Sequence, residues 1–395
     1  MRSFRFRPLA GFLFAWMSFG VQSQTGAAKN QLPSSQSPAN EASHEQSPAT
    51  TNVQAEEELQ KGTALTRAGS FSVAIPHLLA ARDRASNDYA ASFNLSLCYV
   101  ATGQPTLAIP ILTALRAAGH DNADVNNLLA QAYIGDGQNQ KALETLQKAS
   151  RLAPDNEKLY LFVADACMAK QEYAVGLQVV NLGLDHVPGS AHLHYQRGMF
   201  VTLLDEFDVG KKDFDQARDL APESDIAFMA ATQKAMFEGD VSQAVRTARE
   251  GVKKGHHNYI LLTLLGEALL RSGIAPAQPE FAEARDALEK SVGERPNYAG
   301  SQLALGKLYL LENRLDDAIL RLESAKQLNL NNAAVYSNLA TAYRRRGDLQ
   351  QAHNMLQVLA NLNQAQAEKI RAAPGGSKAG YAGSENGQSG AAEHP

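Results

Sequence analysis

The chain repeats itself. A small residue returns at one place in a 34-residue frame, at Ala74, Ala108, Ala142, Gly176, Gly210, Ala244, Ala284, Ala318 and Ala352, with a single longer step of 40. A second small row stands twelve positions earlier, at Gly62, Ser96, Ala130, Ala164, Gly198, Thr232, Gly306 and Ala340; in the longer unit the offset is eighteen, at Gly266. Two fixed small positions per unit are what close helix-to-helix contact requires, because a larger side chain would hold the backbones apart. The 395 residues therefore read as one elongated array rather than as two or three globular domains.

One unit shows the physics. In residues 123–156, Leu128, Leu129, Ala132 and Tyr133 fall at helical spacing on one face, and Gly135 to Gly137 then break the pattern. A second apolar set, Ala142, Leu143, Leu146 and Ala149, runs until Ala153, Pro154 and Asp155 end it. Each unit is thus a helix, a tight turn and an antiparallel helix. Gly69, Gly103, Gly137, Gly239, Gly273 and Gly347 occupy the fifteenth position of their units, and Asn313 stands there in another. Glycine, then asparagine, takes the left-handed conformation past a helix end at least cost. Pro154, Pro188, Pro222 and Pro296 recur at position 32, where proline stops one helix before the next begins.

The run of Leu129, Ala130, Tyr133, Gly137, Ala142, Leu146, Ala149 and Pro154 resembles the tetratricopeptide repeat, whose consensus places Leu-Gly, Tyr, Ala, Phe, Ala and Pro at these offsets. The resemblance covers nine units and implies an all-α, right-handed superhelical solenoid of antiparallel helix pairs over residues 55–372. The family's early tryptophan is absent, with Tyr160, Phe228, Leu262 and Tyr336 among its substitutes. The unit at residues 225–258 fits least well, with Ala231 and Thr232 for Leu-Gly and His256 for the proline, and is expected to be the most mobile. Residues 274–279 are a six-residue insertion between two helices of one unit, with Pro276 and Pro279 opposing helix. The last unit has no proline after its second helix, which is expected to run on to about residue 372 as a polar cap bearing Gln364, Gln366, Glu368, Lys369 and Arg371.

The flanks read differently. Arg2, Arg5 and Arg7 precede an apolar run at residues 9–21, so residues 1–23 read as a secretory signal that is cleaved. A run of about 13 falls short of the roughly 20 that a membrane-spanning helix needs. An uncleaved segment tethering the protein to a membrane is the alternative. Residues 24–54, rich in Gln, Ser, Pro and Ala, read as a disordered linker, and residues 373–395, rich in Gly, Ala and Ser, as a flexible tail. Formal charge is -4, and losing the three leader arginines leaves 34 basic against 41 acidic residues, or -7. That balance offers nothing to nucleic acid. Cys98 and Cys167 lie two units apart and read as buried thiols rather than a bridge.

No phosphate-binding glycine loop, His-Glu-x-x-His, Cys-x-x-Cys or Gly-x-Ser-x-Gly occurs in the sequence. His192 and His194, two apart on a helix, point to different faces and do not read as a metal pair. Arg344, Arg345 and Arg346 precede Gly347 at a helix C-terminus, where the helix dipole favours cations. No enzyme, cofactor or metal is expected.

Binding is what remains. The resemblance implies that positions 2, 5, 9 and 12 of each first helix line a concave groove for partner segments. In the middle units these are Lys158, Leu161, Asp165 and Met168; His192, Tyr195, Met199 and Thr202; and Ile226, Met229, Gln233 and Met236. Four of the five methionines that follow the leader fall in this set, and methionine suits surfaces that accept varied apolar partners. The competing reading makes them ordinary core residues. The function expected is an extracytoplasmic scaffold binding protein or peptide segments in support of an envelope or secretion assembly. The alternative is an accessory of polysaccharide export, which would need aromatic rings on the groove, where only Phe93 and Tyr195 stand.

Overall fold

The computed structural model describes residues 48–372; the leader, the first part of the linker and the tail lie outside the described residues. All the regular structure in that span is α-helix. The first six helices are α1 (Pro48–Arg67), α2 (Phe71–Ala81), α3 (Asp88–Ala101), α4 (Pro105–Ala117), α5 (Ala123–Gly135) and α6 (Asn139–Leu152). Next come α7 (Glu157–Lys170), α8 (Tyr173–His186), α9 (Ala191–Leu203), α10 (Phe207–Leu220), α11 (Asp225–Glu238) and α12 (Val241–Lys253). The last six are α13 (Tyr259–Arg271), α14 (Pro279–Glu294), α15 (Ala299–Leu311), α16 (Leu315–Leu328), α17 (Ala333–Arg346) and α18 (Leu349–Ala372). Each odd-numbered helix packs against the even-numbered helix after it and against the next odd-numbered helix, so the hairpins stack into a solenoid. Helix begins at Pro48, seven residues before the expected start of the array at residue 55. Proline suits the first turn of a helix, and no breaker follows it.

The two small rows are where the helices of a pair touch. Ala74, Ala108, Ala142, Ala244, Ala284 and Ala318 are fully buried. A Cβ placed on Gly198 would stand 2.9 Å from the Phe214 ring, and one on Gly306 would stand 2.7 Å from Leu322. One on Gly176 would overlap the Phe200 ring. Interiors packed to crystal density do not absorb such a methyl without displacement.

Turns and joints follow from backbone accounting. A left-handed residue closes the first helix in every unit, with φ between 59° and 95° at Gly69, Gly103, Gly137, Gln171, Asp205, Gly239, Gly273, Asn313 and Gly347. Gln171 and Asp205 were invisible to a search for glycine, and they adopt this conformation because the antiparallel return requires it. Between units, Asn122, Ser190, Ser224, Asn258 and Asn332 cap the next helix, each side chain accepting from a backbone N–H two or three residues on. Tyr160 and Tyr336, at the substituted tryptophan position, donate to the carbonyls of Pro154 and Leu330 in the loop before them. Arg271 and Arg345 donate to the carbonyls of Met236 and Leu310, the ends of the first helix one unit earlier. The next repeat thus adds a cationic donor to a carbonyl at each of those helix ends.

The inserted segment is anchored, since Ile274 is buried against the main core and Gln278 accepts from the Ala275 amide. Pro279 does not oppose helix as expected; it opens α14 at the first helical position, where its missing N–H costs nothing. In the poorly matching unit, His256 replaces the proline, pairs with Asp225 at 2.5 Å and lies against the Phe228 ring. Helix α18 runs 24 residues, with Gln364, Gln366 and Glu368 exposed along its extension.

Candidate functional site

The concave positions of the middle units are filled rather than open. Leu161, Asp165, Met168, Tyr195, Met199, Ile226, Met229, Gln233 and Met236 are all buried, and only His192 of the expected ten keeps substantial exposure. Met199 is 1% and Met229 2% exposed. The cause lies in curvature, which brings α7, α9, α11 and α13 together so that each fills the space beside the next.

Polar groups are caught in this interior. Glu267 on α13 has its carboxyl pushed up to about 7 by burial, against the pull of Lys307 and Arg271. Burial, and then Glu267 itself, push the Tyr195 hydroxyl up in turn. Tyr298 is likewise raised, by burial first and then by Tyr259, Tyr195, Glu267 and Asp165. The Tyr259 and Tyr298 rings meet edge to face at 5.0 Å.

Open space lies elsewhere. The array curves far enough for its later loops to return over its early units, leaving a cleft of about 510 Å³ between them. One wall is the far end of the first helices and their turns: Phe71, Leu97, Gln131, Phe162, Asp165 and Lys170. The other wall is the inter-unit loops after α14 and α16: Arg295, Asn297, Leu328, Asn329, Leu330 and Asn331. Gln171 donates to the Asn331 carbonyl at 2.9 Å across the seam, and the Asn297 amide stands 3.9 Å from where a Cβ on Gly69 would be. Such a volume is in the range of small-ligand and short-peptide sites.

Of the ten expected residues, Asp165 alone lines this cleft. It is 4% exposed, its Oδ1 accepts from Gln196 Nε2 at 2.7 Å, and its Oδ2 has no hydrogen-bond partner in the protein. Burial holds its carboxyl well above the usual carboxylate range, opposed by the Gln196 bond. Oδ2 is itself buried, so Asp165 gives the cleft wall an unpartnered polar atom set back from solvent. Beside it Gln131 Nε2 donates to Asn127 Oδ1, and Asn127 Nδ2 to the Leu159 carbonyl, which fixes the wall. Apolar patches alternate with amides, and Leu330 is 63% exposed at the lip.

The loop wall was not anticipated. A signal existed: at position 32, where four units carry proline, this unit carries Leu330 within Asn-Leu-Asn-Asn. A large apolar residue on a polar loop invites the question of what covers it.

The histidines are structural. His194 pairs with Asp213 at 3.1 Å, alongside Arg197, and contacts the Pro188 carbonyl; His192 lies 3.6 Å from Glu157. Among the described residues no group of three or more His, Cys, Asp or Glu could hold a metal, and no helix is long and apolar enough to cross a membrane.

Stacked helical hairpins around a cleft define a helical-repeat protein with a built cavity. Family models described as tetratricopeptide repeat match residues 65–132, 123–156 and 277–329, so the chain contains tetratricopeptide repeats. It is similar to the human mitochondrial import receptor subunit TOM70, 24% identical over 205 residues, which are 51% of this chain and 33% of that protein. It is also similar to the chloroplastic tetratricopeptide repeat domain-containing protein PYG7 of Arabidopsis thaliana, 27% identical over 122 residues, or 31% of this chain and 40% of that one. The chain thus spans well under half the length of either relative. A solved tetratricopeptide repeat protein from Parabacteroides merdae aligns over 67% of this chain and 98% of its own, at 19% identity and a TM-score of 0.44.

Proposed function

We propose that this protein is a non-catalytic scaffold, built of nine tetratricopeptide repeats, that takes extended polypeptide segments into the cleft between its early units and its later loops. The observation that carries this reading is a seam of about 510 Å³ whose walls set Phe71, Leu97, Phe162 and Leu330 beside the polar side chains of Lys170, Asn297 and Asn329. An extended chain presents side chains to apolar walls and carbonyls to donors, so it matches both. Resemblance to an import receptor subunit agrees with a role in holding polypeptides. The leader supports action outside the cytoplasm, after cleavage near residue 23, in an envelope or secretion assembly.

A carbohydrate reading would need ring faces open for stacking at the frame positions, where Tyr195 is buried and Phe93 partly buried. The test is photo-crosslinking in the native cell from a reactive group at Asn331, with Leu330→Glu as the control. Specific adducts that vanish in the control support the cleft; adducts unchanged in the control, or none, overturn it.

A further inference from the structure

Two stretches one unit apart are near copies of each other. Ser72-Val73-Ala74-Ile75-Pro76 lies in α2 and Thr106-Leu107-Ala108-Ile109-Pro110 in α4. Ala74 and Ala108 point inward and are fully buried, while Val73 is 56% and Leu107 46% exposed and both prolines face solvent. A proline inside a helix gives up a backbone hydrogen bond, so its place there is not a helix requirement. At the same frame position the third, fifth, sixth and seventh units expose Glu144, Lys212, Arg246 and Asp286. The first two units thus turn an apolar face outward where most of the array turns charge.

No free charge interrupts that face. The only ionisable side chains of α2 and α4 are His77, which lies 2.5 Å from Glu58, and Arg116, which lies 3.6 Å from Asp121. Both helices pack on α3, and as equivalent helices of successive units they run in the same direction.

We infer that this face pairs with the same face of a second copy of the chain, α2 of each copy lying over α4 of the other. A two-fold contact demands that one surface be complementary to itself. Here the duplication supplies it, because an axis running between α2 and α4 along their length brings residues of equal frame position together, Val73 on Leu107 and Pro76 on Pro110. Charge agrees: copies of net charge -4 repel one another, and they approach at least cost where neither has a charge to bury. Area sets the strength. Helices of 11 and 13 residues present faces about 16 and 20 Å long and about 10 Å wide, or roughly 360 Å² on each copy. The total of about 700 Å² is below the roughly 1,200 Å² of a stable complex, so the contact is reversible and depends on concentration. Phe71 and Pro105, which open the two helices, also line the cleft. Parallel pairing therefore brings two clefts to one end of the dimer, and for the polypeptide-holding role proposed above this means two points of capture in place of one.

The test is sedimentation equilibrium of the full chain, which is expected to pass from monomer to dimer between about 1 and 200 µM. Leu107→Glu is expected to weaken association by about a hundredfold or more, because each copy then buries an unpaired charge, with helicity by circular dichroism unchanged. Leu320→Glu is the matched control: it stands at the prolines' frame position in α16, is 58% exposed, and is expected to dimerise as the unaltered chain does. Disulfide trapping checks the pairing, since a mixture of Val73→Cys and Leu107→Cys chains is expected to give covalent dimer and Val73→Cys alone is not. A dimer that survives Leu107→Glu, one that Leu320→Glu also abolishes, or trapping by Val73→Cys alone and not by the mixture overturns the inference. So does a chain that stays monomeric, whether or not the face takes up a lipid vesicle or another protein.

Discussion

Gln171 donates its side-chain amide to the backbone carbonyl of Asn331, 160 residues later in the chain, and so joins the fourth unit to the eighth. The residue is also held in the left-handed conformation, at φ 59°, which aims its side chain from the turn. A single exposed hydrogen bond contributes about 0.5–1.5 kcal/mol. Gln171→Ala is therefore expected to leave the melting temperature nearly unchanged while loosening the seam. A larger radius of gyration by small-angle scattering, with faster amide exchange at residues 327–331, checks it; identical values refute it.

Met199 and Met229 lie in the core, so Met199→Glu with Met229→Glu is expected to cost more than about 4 kcal/mol and to unfold the middle of the array. Chemical denaturation followed by circular dichroism measures this. A stable double variant would return these residues to the role of an accessible groove.

Gly176→Ala is expected to destabilise by about 1–3 kcal/mol, because the added methyl meets the buried Phe200 ring. Gly189→Ala, where nothing lies within 4 Å, is the matched control. Urea midpoints of the two variants separate steric cost from a general effect of replacing glycine.

Asp205 adopts φ 67° where most units place glycine. Relief of about 1–2 kcal/mol of left-handed strain, offset by about 0.4–1 kcal/mol of added unfolded-state entropy, leaves Asp205→Gly more stable by about 0.5 kcal/mol. A lowered urea midpoint would refute this.

Glu267, raised from 4.5 to about 7 by burial, binds its proton more tightly folded than unfolded. Stability from this group is fully present below about pH 4.5 and is lost as pH rises through about 7. Glu267→Gln is expected to flatten the stability profile between those values and to stabilise the protein at pH 8. A slope that persists in the variant would place the titration elsewhere.

Trp16 is the sole tryptophan, so protein collected outside the cytoplasm is expected to lack indole fluorescence at its emission maximum and to have the intact mass of a chain starting near residue 24. A tryptophan signal would point to a retained leader.

Much of this architecture could be read before folding it. The small rows, the glycines at position 15 and the prolines at position 32 are local requirements of a hairpin, so each leaves its mark in the sequence. The helix run to residue 372 followed from a missing breaker. The site was harder, because its two walls come from units whose separation along the chain no local pattern encodes. Frame positions identified Asp165, yet the same frame marked Met199 and Met229 as surface, since curvature rather than periodicity decides which concave positions close. Gln171 shows the same limit, as its conformation is set by the return of the chain and its partner by the path of the whole superhelix.

A solenoid that meets itself is subject to a constraint that open arrays escape. In a straight stack, gaining or losing one repeat lengthens or shortens the rod and leaves every local surface intact. Here the number of units between Gln171 and Asn331 sets which loop arrives opposite which turn, much as the number of teeth sets the phase of a gear. Deleting a single internal repeat would preserve every hairpin and still destroy the seam.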